Sequence, residues 1–233
     1  MKPRALAALL FASCWLGLAA DADMDFANIV LWKAPTGAWT NVGEVAMDPQ
    51  QGKSLVSKAS GGLLINGTEG KTGNIHTKEE FQDVEAHIEF MVPKNSNSGV
   101  YFLSRYEVQV FDSWGVANPS SHDCGAIYER WNDKGGYEGH PPRINASKAP
   151  GEWQTFDVVF RAPRFDATGK KTANAKFIKV THNGQVVQQN VEVTGPTRSA
   201  SFEDEKSAGP LMLQGDHGPV VYRNIRIKSV KLP

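Results

Sequence analysis

Residues 101–112 read YFLSRYEVQVFD, and polar and apolar side chains alternate through the second half of this stretch. Glu107 and Gln109 each stand between two apolar residues, which is the period of two typical of a half-buried strand. Residues 99–111 are therefore predicted to form one strand, after a turn at 93–98 that is rich in Asn and Ser. Its apolar face would pack on a core, and its open face would carry Glu107 and Gln109.

Asp112 ends this stretch and is a second acidic group of interest. Strict alternation places Asp112 on the face opposite Glu107. A single bulge near Phe111 would rotate it back onto the same face, and we expect one there. Glu107, Gln109 and Asp112 would then share one hollow on the open side of a sheet.

The rest of the chain carries further strand signals and no sustained helical periodicity after the N-terminal segment. Asn183-Gly184 is a dipeptide preferred in tight type I′ hairpins. Residues 113–147 are rich in aromatic side chains, which favours an ordered loop, and residues 164–174 are typical of an exposed hairpin end. The runs that read as strands are 83–91, 153–160, 176–182, 185–193 and 221–227. These patterns predict an all-β fold, an antiparallel two-sheet sandwich or jelly roll.

The composition is that of a neutral globular protein. The 233 residues are 40% hydrophobic, and 25 Lys and Arg balance 25 Asp and Glu. This size suits a single sandwich domain, which we place at residues 23–233. A neutral chain lacks the electrostatic footprint of nucleic-acid binding or of attachment to an anionic membrane, so neither is expected as a partner.

The N-terminal segment has the proportions of a signal peptide. Lys2 and Arg4 precede the apolar residues 5–20, which are too few for a comfortable membrane span, and Asp21 follows. We predict a signal peptide at 1–20, export to the periplasm or the extracellular space, and no integral membrane span in the mature chain. The cleavage point stays open, and lipid attachment at Cys14 is the less favoured alternative. Cys124 would then stand alone, without an intrachain disulfide.

Six phrases of the sequence form a recognisable set. They are TGNIHTKEEFQDVEAHIEF (72–90), NSGVYFLSRYEVQVFDS (97–113), CGAIY (124–128), NASKAPGEWQTFDVVFRAPRFD (145–166), HNGQVV (182–187) and GPLMLQGDHGPVVYRNIRIK (209–228). Together they resemble the 3-keto-disaccharide hydrolase family, which has a concanavalin A-like fold, and the resemblance spans roughly residues 25–231. The spacing of Glu107, Gln109 and Asp112 is also similar to the Glu-x-Asp-x-x-Glu layout of laminarinase-like glucanases, with Gln and Asp at the second and third places.

The family resemblance implies an exported hydrolase that cleaves 3-keto-glycosides, which a partner sugar 3-oxidoreductase would supply. A ketone at C3 acidifies the hydrogen on C2, so a base can remove it and the group at C1 can leave, after which water adds. Such a site needs a base, a group that stabilises the enolate and a proton donor for the leaving oxygen. The chain departs from the family pattern in residues 131–140, which are extra, and in Gly215, which lengthens the usual LQDHG phrase.

Candidate site residues follow from the open strand face and from the resemblance. Glu107 is the predicted base, and His217 or Asp112 would assist the leaving group. A turn-forming role for Asp112 and for His217, and a salt bridge between Glu107 and Arg105, are the structural alternatives. The candidate substrate-binding residues are Arg105, Gln109, Lys78, Tyr128 and Gln214.

Two further functions stay open at this point, and so does the question of whether the protein binds a metal ion. An ordinary glucan hydrolase would use Glu107 and Asp112, and a non-catalytic carbohydrate-binding domain would use the same face without chemistry. No His-x-x-x-His or paired-Cys motif is present, so no cofactor is required. A calcium ion held by scattered oxygen ligands has no sequence signature and remains an open possibility.

Overall fold

The structure is a computed structural model, and it describes residues 24–233. The predicted signal peptide at 1–20 and Cys14 lie outside the described residues. Within 24–233 no helix has the length and apolar character needed to cross a membrane.

Fifteen β-strands and a short 3₁₀ helix at Ile29–Leu31 make up the regular structure of the described chain. The strands are β1 (Thr40–Met47), β2 (Leu55–Ile65), β3 (Ile75–Phe81), β4 (Val84–Met91), β5 (Asn97–Phe102), β6 (Tyr106–Phe111), β7 (Arg130–Asn132), β8 (Gly135–Tyr137), β9 (Gln154–Arg161), β10 (Arg164–Phe165), β11 (Lys171–Ala173), β12 (Ala175–His182), β13 (Gln185–Val193), β14 (Gly209–Leu213) and β15 (Val221–Ser229).

Two antiparallel sheets form the sandwich. The larger has the strand order β1-β2-β15-β4-β9-β12-β13, and the smaller has the order β3-β14-β5-β6. Two short hairpins, β7-β8 and β10-β11, lie outside them. The predicted all-β, two-sheet antiparallel fold is confirmed. The late strands β14 and β15 each occupy an interior position, so the end of the chain completes both sheets.

The core lies between the sheets and is rich in aromatic side chains. Phe102 of the smaller sheet packs on Phe160 and Phe177 of the larger, with ring centroids 5.2 and 5.6 Å apart. Each buried Phe contributes about 1.5–3 kcal/mol from the transfer of apolar surface out of water. This packing orients the smaller sheet, because the side chains that alternate with the core residues must point to its other face.

The stretch 99–111 is a hairpin, and the prediction of one continuous strand was wrong. A turn closes with the Arg105 N–H donating to the Phe102 carbonyl at 3.0 Å. Leu103 and Ser104, at its centre, have φ values of 52° and 54°, as a type I′ turn requires. Neither is a usual residue for that conformation, so no turn signal is present in the sequence. Burial of Leu103 in the core offsets part of the backbone strain.

The expected bulge near Phe111 is absent. The pairing of β5 with β6 runs without a shift from Asn97 opposite Phe111 to Phe102 opposite Tyr106. Asp112 therefore stays on the alternate side, and its carboxylate accepts hydrogen bonds from the N–H groups of Asn95 and Trp114 at 2.9 and 3.3 Å. These backbone donors satisfy the carboxylate at the strand end, so no bulge is needed to place it.

The other strand predictions agree with the structure to within a few residues. Asn183 and Gly184 both have positive φ and join β12 to β13, so the predicted hairpin is confirmed. The last strand carries an irregularity in its pairing with β4 between Arg223 and Arg226. Residues 164–174 form the hairpin β10-β11, as predicted.

The long segment 113–147 is well packed at its base. The side-chain amide of Asn145 donates to the carbonyls of Ser113 and Val116 at 2.6 and 2.9 Å, which ties the two ends of the segment together. Cys124 is a free and fully buried thiol. Burial raises the pKa of Cys124 to about 12, so the thiol stays protonated.

Candidate functional site

A polar cavity of about 130 Å³ opens on the face of the smaller sheet that points away from the core. It is smaller than the pockets of about 300–1,000 Å³ that hold drug-sized ligands, so it accommodates a compact polar group. The residues that line it are Asn97, Tyr101, Glu107, Gln109, Tyr128, Arg198, Ser199, Gln214 and His217.

Strand alternation and register bring the floor of this cavity together. Tyr101 of β5 pairs directly with Glu107 of β6, and Gly99 pairs with Gln109. Gln214 follows β14, where its N–H donates to the Gly99 carbonyl at 3.0 Å. Three neighbouring strands thus place their outward side chains on one patch, while the residues between them enter the core.

Glu107 is the central ionisable group of the cavity floor. Glu107 is only 2% exposed, and burial raises the pKa of its carboxyl from the ordinary value of 4.5 to about 8. A hydrogen bond with the Tyr101 hydroxyl lowers this pKa to a smaller extent. A pKa close to neutral suits a group that accepts a proton in one step and returns it in another.

Tyr101 connects Glu107 to the wall of the cavity. Its hydroxyl donates to the backbone carbonyl of Arg198 at 3.2 Å. Burial, followed by the charge of Glu107, raises the pKa of Tyr101 well above its usual value, so the phenol keeps its proton. A protonated Glu107 can donate to the phenol oxygen, whereas an ionised Glu107 must take the Tyr101 hydrogen for itself. The orientation of this hydroxyl is therefore coupled to the charge of Glu107.

Gly99 makes the space in which the Glu107 carboxyl lies. A Cβ atom on Gly99 would come within 2.1 Å of Glu107 Oε1 and 2.9 Å of a Tyr101 ring carbon. The φ of Gly99 is not in the left-handed region, so glycine is needed for space rather than for backbone conformation. The absent side chain leaves the space that the carboxyl occupies.

Three side-chain amide oxygens of the cavity have no hydrogen-bond donor in the described chain. They belong to Asn97, Gln109 and Gln214, and each is buried. An unpaired buried acceptor costs about 1–3 kcal/mol, so three in one small cavity are unusual unless a ligand satisfies them. Hydroxyl groups of a sugar are suitable donors.

Arg198 and Ser199 form one wall of the cavity, and Thr197 fixes that wall to the site strand. The Thr197 hydroxyl donates to the Arg105 carbonyl at 3.1 Å and accepts from the Glu107 N–H at 3.2 Å. The Thr197 N–H also donates to the Arg105 carbonyl at 2.9 Å. The wall is therefore held on the same strand as Glu107, so their relative position is rigid.

The cavity that contains Glu107 is also lined by four other residues that we predicted for the site. They are Gln109, Tyr128, Gln214 and His217. His217 is about half exposed at the rim, and its Nδ1 lies 2.5 Å from Asp216 Oδ1. Burial, followed by the charge of Glu107, raises the pKa of Tyr128. His217 and Tyr128 thus line the cavity with side chains of types that can transfer a proton.

Three predicted site residues lie elsewhere. Asp112 is bound to backbone N–H groups at the strand end, on the side opposite Glu107. Arg105 is buried and donates to the Asp204 carbonyl at 2.5 Å, to its carboxylate at 2.6 Å and to the Leu103 carbonyl at 2.8 Å. Lys78 donates to the Val30 carbonyl at 2.7 Å. None of the three lines the cavity.

The displacement of Arg105 follows from the turn at Leu103 and Ser104. A continuous strand would have set Arg105 beside Glu107 and Gln109, but here it ends a tight turn and its guanidinium reaches sideways to the 202–205 segment. Its CZ atom lies 4.6 Å from the ring centroid of Phe202. Arg105 therefore fixes the segment that continues from the cavity wall.

Sequence reasoning missed Asn97, Gly99, Tyr101, Arg198 and Ser199. Alternation puts Gly99 and Tyr101 on the same face as Glu107 and Gln109, but only the hairpin turn, which had no sequence signal, brings them side by side. Asn97 lay in the predicted turn at 93–98. Arg198 and Ser199 had no signal either, since they come from a loop far along the chain.

Within residues 24–233, no group of three or more His, Cys, Asp or Glu side chains is arranged to hold a metal ion. The residues that line the cavity supply one carboxyl, the three amide oxygens described above and the hydroxyl groups of Tyr101, Tyr128 and Ser199. The amide oxygens suit hydroxyl donors, and the guanidinium of Arg198 supplies a positive charge at the wall.

Residues 26–228 match the model of the 3-keto-alpha-glucoside-1,2-lyase-like domain. The chain is also similar to a solved structure from Parabacteroides distasonis provisionally described as a glycosyl hydrolase, with 31% identity and a TM-score of 0.60 over 83% of this chain and 79% of that one. A second structure from that organism, described in the same way, has 14% identity and a TM-score of 0.53 over 83% and 89%, and it bears on the fold alone. Comparison with the curated proteins gave no match.

Proposed function

This chain belongs to the 3-keto-alpha-glucoside-1,2-lyase-like domain family, and on that premise we propose that it is a carbohydrate-active enzyme that cleaves 3-keto-glycosides. The reaction is an elimination followed by addition of water, so that the net outcome is hydrolysis. The observation that supports this most directly is a single buried carboxyl, Glu107, with a pKa of about 8 in a polar cavity.

In the first step Glu107 removes the hydrogen on C2, next to the C3 ketone. The electron pair of the C2–H bond forms the enolate, and collapse of the enolate expels the group at C1 and leaves a C1–C2 double bond conjugated to the ketone. The departing oxygen takes a proton from a donor in the cavity, a role that we assign to Tyr128 or His217 because both line it. Water then adds, with its oxygen on C1 and a proton returned to C2.

The charge on the enolate oxygen needs a positive group, and Arg198 is the cation that lines the cavity. The amide oxygens of Asn97, Gln109 and Gln214 would accept hydrogen bonds from the sugar hydroxyls. Substrate binding would then satisfy acceptors that are otherwise unpaired, which favours a hydroxyl-rich ligand of small size.

The cavity is less suited to an ordinary glucan hydrolase. Retaining and inverting glycosidases place two carboxyl groups about 5–9.5 Å apart across the scissile bond. Glu107 is the single carboxyl among the residues that line this cavity. Asp112, which would have been the second, points to the other side of the strand. Elimination needs only one base, so it is compatible with this arrangement.

We also propose that the protein is exported and that a sugar 3-oxidoreductase supplies its substrate. The N-terminal sequence supports export, since basic residues precede an apolar run of signal-peptide length. The need for a ketone at C3 supports the partner, because an unoxidised sugar has no acidic hydrogen at C2.

A paired incubation tests the proposal. The purified protein is incubated with a 3-keto-α-glucoside disaccharide and, separately, with the unoxidised parent, and released sugar is measured by chromatography. We expect cleavage of the ketone alone, and loss of that cleavage in Glu107→Gln. Cleavage of the parent would instead support a glucan hydrolase, and binding without cleavage would support a carbohydrate-binding domain. Full activity in Glu107→Gln would remove Glu107 from the mechanism.

A further inference from the structure

A second cavity, of about 410 Å³, adjoins the polar cavity of Glu107. Arg198 and Ser199 line both cavities, so these two residues form a shared wall between them. The second cavity is about three times larger, and its lining includes the aromatic side chains of Trp131 and Phe202. These rings are 50% and 40% exposed, although both belong to residue types that are usually buried.

Arg198 is held by stacking rather than by an ion pair. Its guanidinium carbon lies 3.8 Å from the ring centroid of Trp131. Its side chain has no hydrogen bond or salt bridge to any residue in 24–233, so its N–H donors remain available at the shared wall. The backbone is fixed on both sides, because the Arg198 N–H donates to the Glu129 carbonyl at 2.8 Å and its carbonyl accepts from Tyr101.

From this arrangement we propose that the second cavity is the subsite for the leaving group of the glycoside. The inference rests on the proposed function, because it takes the polar cavity as the site of the 3-keto sugar. A glycosidic oxygen at the shared wall would lie beside the free donors of Arg198, and the leaving group would extend over Trp131 and Phe202. The matching occupant is a ring with an apolar face, either a second sugar ring or an aryl group.

Trp131 has two roles in this proposal. Its ring stacks against the guanidinium of Arg198, and the exposed part of the ring is the surface on which the leaving group stacks. It lies on the β7-β8 hairpin of the long segment 113–147, so that hairpin determines the size of the leaving group. A glycoside with only a methyl group at C1 would gain nothing from this surface.

The test compares leaving groups on one 3-keto-α-glucosyl unit. Methyl, p-nitrophenyl and glucosyl derivatives are assayed with wild type, Trp131→Ala and Phe202→Ala, and Trp114→Ala is the control, since Trp114 is exposed and lies outside both cavities. For the two ring-bearing derivatives, we expect kcat/KM to fall roughly tenfold in Trp131→Ala and severalfold in Phe202→Ala. For the methyl derivative, we expect kcat/KM to change less than twofold in Phe202→Ala. Equal losses for all three derivatives in both variants would overturn the subsite.

A binding measurement separates this inference from the proposed chemistry. Calorimetric titration with the unoxidised disaccharide and with methyl α-glucoside does not depend on turnover. Weaker binding of the disaccharide alone in Phe202→Ala would support the subsite even if no derivative is cleaved, which would contradict only the proposed reaction. Unchanged disaccharide binding in both aromatic variants would overturn the subsite while leaving the reaction at Glu107 intact.

Discussion

The Oε1 atom of Glu107 lies 2.1 Å from the position that a Cβ atom on Gly99 would occupy. The two residues are on neighbouring strands, and the carboxyl of one fills the space left by the missing side chain of the other. The position of the proposed base therefore depends on a glycine with ordinary backbone angles.

Gly99→Ala should abolish most of the activity while the protein still folds. The added methyl group must displace the Glu107 carboxyl or the Tyr101 ring, and a shift of about 1 Å in a reacting group can cost about a hundredfold in rate. The measurement is kcat/KM on a 3-keto-disaccharide together with the melting temperature. Gly62→Ala is the matched control, because Gly62 also lies in a strand and a Cβ there would meet nothing within 4 Å. Wild-type activity in Gly99→Ala would show that the carboxyl need not lie where it does.

The pH dependence of kcat/KM should report Glu107 as a base. Its pKa of about 8 means that the ionised form predominates in the free enzyme only above pH 8 and falls about tenfold with each pH unit below it. We expect kcat/KM to rise about tenfold per pH unit below 8 and to level off above it. A profile that falls through this range would assign Glu107 as the proton donor instead.

Protein stability should show the opposite trend with pH. The folded pKa of Glu107 lies above its ordinary value of 4.5, so the native state binds more protons between about 4.5 and 8. The stabilisation from Glu107 is therefore complete below pH 4.5 and is lost as pH rises through 8. Glu107→Gln stays neutral, so its free energy of unfolding should exceed that of wild type by a few kcal/mol at pH 9, at about 1.4 kcal/mol per pKa unit.

Urea unfolding of wild type and Glu107→Gln at pH 5 and pH 9 checks this linkage. The difference between the two proteins should be small at pH 5 and should grow in favour of the variant at pH 9. A difference that does not change with pH would mean that Glu107 ionises normally in the folded protein.

Gln214→Met should weaken sugar binding without weakening the fold. The side-chain oxygen of Gln214 has no hydrogen-bond donor in the described chain, so the change removes a buried unpaired acceptor. We expect KM for the 3-keto-disaccharide to rise by up to about tenfold, in line with one lost neutral hydrogen bond of about 0.5–1.5 kcal/mol, and the unfolding free energy to stay equal or increase. Loss of stability together with unchanged KM would contradict a ligand-binding role for this oxygen.

Asp204→Ala should destabilise the segment that continues from the wall of the second cavity. The Asp204 carboxylate accepts from the buried Arg105 at 2.6 Å, and its removal leaves that guanidinium with backbone carbonyl acceptors and no acidic partner. We expect the unfolding free energy in urea to fall by about 1–3 kcal/mol. Lys206→Ala is the control, because Lys206 contacts the same carboxylate at 3.4 Å from an exposed position and should change stability by less than about 0.5 kcal/mol. Equal effects of the two changes would contradict a structural role for Arg105.

Strand periodicity predicted the sandwich and the outward direction of Glu107 and Gln109, because alternation is a local property of a half-buried strand. It could not predict the turn at Leu103 and Ser104, since neither residue favours positive φ and the burial of Leu103, which offsets part of the strain, depends on the tertiary fold. That turn decides the position of Arg105. The prediction of a bulge near Phe111 was also wrong, because the Asp112 carboxylate accepts hydrogen bonds from nearby backbone N–H groups and needs no bulge to reach a partner.

The residues that form the wall of the cavity could not be predicted from a single sequence. Arg198 reaches the site through backbone contacts with Tyr101 and Glu129, which are distant in sequence, and no local motif marks it. The roles assigned to Glu107, Gln109, Tyr128, Gln214 and His217 remain predictions, although these side chains meet in one cavity.

The interior positions of β14 and β15 have a consequence for biosynthesis. Until the ribosome has translated residues 209–229, β3 lacks its neighbour β14 in the smaller sheet and β2 lacks its neighbour β15 in the larger one. A nascent polypeptide that stops earlier exposes unpaired edges in each layer, which are sites of aggregation. Both sheets can therefore be completed only after residues 209–229 have been synthesised, and removal of the final two strands should yield insoluble material rather than a smaller folded domain.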